Sequence, residues 1–154
     1  VNRTYRQNIK SFVGKVDGPD LPGFKRELEK QLNSKFPEGK AVLINYFQKA
    51  PNCITMKFKA EDALRVVNNS IFLSTKMCEK WNAVDYFVFS EDAYFKDLYH
   101  QQLHFHPDSG FFYNNIFTLQ DVCRGFFILK PNGDFMKYYG EDYYSVVEEF
   151  LKKE

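Results

Sequence analysis

The chain has 154 residues, a length that suits one domain burying roughly two-thirds of its unfolded surface without a disulfide or metal staple. Its 21 basic and 20 acidic residues nearly cancel, so charge predicts no nucleic-acid partner and no anionic membrane surface. Aromatic residues make up 18% of the chain, which points to a core built on phenylalanine and tyrosine. No apolar run approaches the roughly 20 residues of a membrane-spanning helix, so no span is expected. The opening "VNRTYRQNIK" lacks both an initiator Met and the apolar stretch of a signal peptide, and reads as a mature chain or an excised fragment.

"TYRQNIKSFVGKV" (4–16) reads as a first strand edged by polar residues. The Gly, Pro and Asp of "VDGPDLPG" form a turn, with Asp20 placed to cap a helix. Phe24, Leu28 and Leu32 recur every four residues in that helix and give it an apolar stripe. "AVLINYF" (41–47) is apolar on both alternating faces, the pattern of a central strand covered on each side. "AEDALRVVNN" looks helical, while "MKFKA" fits helix or strand.

"AVDYFVFS" (83–90) is a second buried strand. Ser90 stands as the N-cap of a helix over "EDAYFKDLYHQQL", with Phe95, Leu98 and Tyr94 inward. "HPDSGFFYNN" reads as a loop. "GFFILK" and "DFMKYYG" are strands joined by "PNGD", whose Pro131-Asn132-Gly133 order is a tight-turn signal. "EDYYSVVEEFLKKE" closes the chain as a helix, acidic at its start and basic at its end, as the helix dipole favours. The order β-α-β-α-β-α-β-β-α predicts an α/β fold over 1–154, one domain with a central mixed sheet flanked by helices.

That order is also the order of the thioredoxin fold. "KAVLINYFQKAPNC" resembles the strand and active-site turn of the TlpA-like, or redoxin, thiol:disulfide oxidoreductases, where a strand feeds a Cys-Pro-x-Cys motif at a helix start. "VDYFVFSED" resembles the family's next strand, and "GFFILKPNGDFMKYYG" its hairpin. The resemblance spans roughly residues 40–154 and implies a three-layer α/β/α thioredoxin-like domain. It further implies a bacterial, extracytoplasmic setting.

The chain departs from the family at two places. The motif here is Ala50-Pro51-Asn52-Cys53, so the attacking cysteine is replaced by Ala50, and alanine cannot attack a disulfide. The family's cis-proline before the hairpin has no counterpart in "DVCRGFF". A cis bond before a non-proline residue costs about 3 kcal/mol, so none is expected.

Cys53 is the candidate catalytic residue. At a helix start its thiolate would be favoured, and it would serve a one-cysteine peroxidase or a TlpA-like reductase. The competing reading is a small buried apolar residue, the usual state of a free cysteine. Ala50, Pro51, Asn52, Cys123 and Arg124 form the candidate binding site, since the resemblance brings the loop around Cys123 beside the motif. A Cys53–Cys123 disulfide is then conceivable, and Arg124 could hold an anionic ligand.

His100, His104 and His106, with Asp108 beyond, are the candidate metal ligands. His100 and His104 share a face if the helix continues, although Gln101 stands where a zinc-protease motif has Glu. The alternative is three solvated histidines at a helix end. No phosphate loop or dinucleotide fingerprint is present, so no cofactor is expected. The ring-rich "FFYNNIF" (111–117) either packs over the core or forms a partner surface. The leading functional expectation is a thioredoxin-like module without the dithiol that takes a protein or peptide partner in its groove. The alternative is the thiol enzyme that uses Cys53.

Overall fold

Two strands whose both faces are apolar demand cover on both sides, and the computed structural model supplies it. It describes residues 10–53 and 57–153. Six strands form one mixed sheet in the order β1-β6-β5-β2-β3-β4: β1 (Ser11–Lys15), β2 (Ala41–Phe47), β3 (Ala83–Phe89), β4 (Phe105–Pro107), β5 (Arg124–Leu129) and β6 (Asp134–Tyr139). β2, β3 and β4 run parallel, and β5 is antiparallel to β2. β6 pairs antiparallel with both β5 and β1. Residues 4–9 of the predicted first strand lie outside the described residues.

Helices α1 (Leu21–Leu32) and α4 (Phe111–Asn115) cover one face, with Leu28, Leu32 and Phe112 packed on Val42, Ile44, Tyr46, Phe127 and Phe135. On the other face lie α2 (Ala60–Lys80), the short α3 (Lys96–His100), and a π-helical turn at Tyr143–Val147 that runs into α5 (Glu148–Lys152). There Met77, Cys78, Val147 and Phe150 pack on Leu43, Phe126 and Ile128, while Val67 and Tyr99 pack on Phe47, Phe87 and Phe89. The result is a three-layer α/β/α, thioredoxin-like arrangement with β2 near its centre.

Several local expectations change. Asp20 precedes α1 but its side chain makes no capping hydrogen bond, and Asn33 ends the helix in a left-handed conformation at φ 48°. Ser90 does not cap a helix: its hydroxyl donates to Asp92, and Phe95 at φ 61° interrupts the chain before α3 begins. The predicted helix over 91–103 therefore shrinks to Lys96–His100. The expected loop after it holds β4 and α4 instead. Asp108 nucleates α4, its carboxylate accepting from the N–H groups of Gly110, Phe112 and Tyr113 and from the Tyr46 hydroxyl. Phe112, Ile116 and Phe117 are buried, so these side chains belong to the core.

Pro131-Asn132-Gly133 makes the predicted turn between β5 and β6. Gly133 sits at φ 97°, and a Cβ there would lie 2.8 Å from the Val16 carbonyl oxygen. Gly133→Ala is expected to cost about 1–3 kcal/mol from backbone strain and this contact. Urea unfolding of the variant checks it, and an unchanged midpoint would show that the turn relaxes freely.

Candidate functional site

The two chain segments that carry the cysteines meet at the carboxyl end of β2. There the chain leaves the sheet at Gln48, whose buried side-chain amide donates to the carbonyls of Leu119 and Val122 at 2.8 and 2.7 Å. Its backbone N–H donates to the Cys123 carbonyl at 3.0 Å. One residue thus ties the 118–123 loop to the turn after β2. Across the gap the Asn52 side chain accepts from the Cys123 N–H at 2.6 Å. Both backbone polar groups of Cys123 are therefore engaged.

Cys53 and Cys123 are joined in a disulfide with Cα atoms 5.0 Å apart. Ala50 and Cys53 are each only 3% exposed, while Pro51 and Asn52 reach solvent and Cys123 is half-buried. The two sulfurs lie 3.2 and 3.3 Å from the same Gln48 carbonyl oxygen. Cys53 is bonded to Cys123 here rather than held as a free thiol. It follows a tight turn in which its N–H donates to Ala50, and α2 begins only at Ala60. All peptide bonds among the described residues are trans.

Arg124 is the charged group of the site. It opens β5, is 6% exposed, and lies under the sheet face rather than in water. Its guanidinium stacks 4.1 Å over the Phe47 ring and donates to Tyr143, Ser70 and Glu141. Its Nε is buried with no partner among the described residues. Glu141 is about half-exposed and is its one close countercharge among the described residues.

From Arg124 a hydrogen-bond chain enters the core. Tyr143 accepts from the guanidinium and donates to the Asn45 side chain at 2.6 Å. Asn45 donates to Ser74 and to the Tyr86 carbonyl, and Ser74 and Thr75 donate to Asp85. Burial pushes the Tyr143 hydroxyl's pKa up, against the pull of Arg124, so Tyr143 stays a donor. Tyr143→Phe takes the hydroxyl partner from the Asn45 side-chain oxygen and from one nitrogen of the Arg124 guanidinium. The expected loss is about 2 kcal/mol by urea unfolding. A loss below about 0.5 kcal/mol would mean the two groups find other partners.

A cavity of about 110 Å³ opens beside the disulfide, lined by Phe47, Val67, Tyr99, Val122, Cys123 and Arg124. It continues into a shallower groove along α2, past Val66, Asn69 and Leu73 to Tyr143. Arg124, Glu141 and Val66 line both.

The predicted binding residues Ala50, Pro51, Asn52, Cys123 and Arg124 are brought together with the catalytic candidate Cys53, although Ala50 lies beneath the surface. The histidines are not. α3 ends at His100, so His100 and His104 do not stack on one helix face. The three rings lie instead against Phe89, Phe87 and Tyr86 respectively. Among the described residues no group of three His, Cys, Asp or Glu is placed to hold a metal ion. Sequence reasoning missed Gln48, Asn45, Ser70, Glu141 and Tyr143. Only Asn45 left a signal, a lone amide inside an apolar strand. Among the described residues no helix is long and apolar enough to cross a membrane. Neither a scan against protein-family models nor a search of curated proteins finds a match for this chain.

Proposed function

We propose that this domain is a thioredoxin-like binding module that lacks the Cys-x-x-Cys dithiol and holds an apolar side chain of an extended protein segment beside Cys123. The observation that carries the reading is the pairing of one deep cavity with an adjoining groove. The groove holds about 510 Å³ and the cavity about 110 Å³, the latter below the roughly 300 Å³ at which ordinary small-molecule pockets begin. The cavity suits one side chain, and the groove along α2 suits the chain that bears it. Phe47, Val67 and Tyr99 give the cavity apolar walls, and Arg124 and Glu141 line it as a charged pair. Because the Cys123 backbone is already engaged by Gln48 and Asn52, strand pairing there is blocked and recognition falls to side chains.

A one-cysteine enzyme working through Cys53 is disfavoured, since that sulfur is buried and bonded to Cys123. The resemblance to TlpA-like proteins supports an extracytoplasmic setting, where a disulfide persists.

The test is selection of linear peptides from a random phage-displayed library on the folded protein. Selected peptides are expected to share one apolar residue. Val66, half-buried on α2, lines both cavity and groove. Val66→Trp should weaken the selected peptides by at least about tenfold, the size of one well-placed interface contact, while leaving the circular dichroism spectrum unchanged. Peptides with no common feature, or binding indifferent to Val66→Trp, would sink the reading.

A further inference from the structure

We infer that the Cys53–Cys123 bond is a thiol–disulfide exchange site in which an external dithiol attacks Cys123 Sγ and Cys53 is the leaving group. The inference stands apart from the peptide-binding reading, because it needs only access to one sulfur. The two ends of this bond differ in burial and in what lies beside them.

Cys53 is 3% exposed and lies behind the turn, whereas Cys123 is half-buried and lines the cavity. The cavity wall next to Cys123 carries the Arg124 guanidinium, paired with the half-exposed Glu141 carboxylate that lines the same cavity. The reduced state is also provided for. The Gln48 carbonyl oxygen stands 3.2 Å from one sulfur and 3.3 Å from the other, so either thiol has an acceptor once the bond opens. The Gln48 and Asn52 hydrogen bonds hold both segments together without the covalent link. Opening the bond therefore need not open the fold.

The step balances as follows. One thiol of the dithiol loses its proton, and the thiolate attacks Cys123 Sγ. The S–S bond breaks, its electron pair leaves on Cys53, and Cys53 takes up a proton and donates it in a hydrogen bond to the Gln48 carbonyl. A mixed disulfide now joins the reagent to Cys123. The second thiol, as thiolate, attacks the reagent's own sulfur in that bond and displaces Cys123 as a thiolate, which is then protonated. Two electrons pass to the protein, and the reagent leaves as a cyclic or linked disulfide. With an oxidised partner the same steps run backwards from Cys123.

The experiment treats the folded wild-type protein with dithiothreitol, quenches with acid, and counts thiols by mass spectrometry after alkylation in denaturant. The expected result is reduction of both Cys53 and Cys123 while circular dichroism remains native. Next, Cys53→Ala and Cys123→Ala are each exposed to glutathione disulfide. The thiol of Cys123 in the first variant should react at least about tenfold faster than that of Cys53 in the second. Cys78, buried and with its thiol pKa pushed up by that burial, is the same slow background in both. Should either variant fail to fold, reduced glutathione is applied to the wild type and the trapped adduct is mapped by peptide digestion, with Cys123 expected to carry it. Reduction that occurs only on unfolding overturns the inference, as does equal or reversed reactivity, or an adduct on Cys53.

Discussion

Replacing Cys53 and Cys123 together by alanine lowers the unfolding free energy by about 4 kcal/mol. The bond links residues 70 apart, and a closed loop of that length removes a large share of the unfolded chain's freedom. Loop-closure entropy grows only with the logarithm of length, so the value falls between the roughly 3 kcal/mol of a 15-residue loop and the 4.7 of a 100-residue one. The folded side of the balance changes little. Alanine is smaller than cysteine by one sulfur, and the Gln48 and Asn52 hydrogen bonds keep the two segments in register.

With a urea slope of roughly 2 kcal/mol per molar, the midpoint falls by about 2 M. A shift under about 0.5 M would mean that the unfolded chain already holds these segments close, or that the bond is strained enough to cancel the entropy. The same free energy acts on the bond itself. If the disulfide stabilises the fold by about 4 kcal/mol, the fold stabilises the disulfide equally, about a thousandfold in its equilibrium with a given dithiol. A pair held closed in this way gives up electrons readily once reduced.

The sheet was legible where the hydrophobic pattern had one meaning. Both-face burial in "AVLINYF" and "AVDYFVFS" located β2 and β3, and Pro131-Asn132-Gly133 located the β5–β6 turn. The thioredoxin-like order followed from the succession of these elements. Helix periodicity misled between 91 and 103, because local preference for a Ser90 cap lost to a Ser90–Asp92 hydrogen bond and a left-handed Phe95. The aromatic stretch 111–117 reads as a loop until the Asp108 carboxylate, six positions before Asn114, is seen gathering three N–H groups into α4.

At the site, the sequence pointed to Cys53, Cys123 and Arg124 only through a family resemblance, since 70 residues separate the two cysteines. What it could not convey was depth. Arg124 looks like a surface residue at a strand start, yet it lies buried and stacked on Phe47. Asn45, Ser74 and Tyr143 come from three elements, and nothing local announces that they form one hydrogen-bond chain.

Lys137 makes the strongest case of depth that sequence conceals, and its pH signature is the second large effect. It sits mid-strand in β6 with 0% exposure, on the same face as Phe135 and Tyr139, and its ammonium donates to the Ile116 carbonyl at 2.8 Å. Burial lowers its pKa from 10.5 to about 8. Below pH 8 the group is charged in both states, and the fold carries the full desolvation penalty. Between 8 and 10.5 the folded lysine is neutral while the unfolded one still binds a proton, so stability rises with pH. A shift of this size corresponds to about 3 kcal/mol.

Buried tyrosines act in the opposite direction. Tyr99, Tyr139 and Tyr143 have pKa values raised chiefly by burial, so above about pH 10 their unfolded forms ionise first and stability falls. Wild-type stability should therefore peak on the alkaline side, between about pH 9 and 10. Comparison with Lys137→Met removes the tyrosine contribution and that of Lys130, whose pKa burial also lowers. Near pH 7 the two proteins should be close in stability, because methionine forfeits the bond to the Ile116 carbonyl and the contact over the Tyr139 ring but buries no charge. By pH 10.5 the wild type should have gained about 3 kcal/mol on the variant, read from urea unfolding at each pH. A difference that stays flat across this range would mean that the lysine keeps its ordinary pKa, and that the interior of this face is wetter than its packing implies.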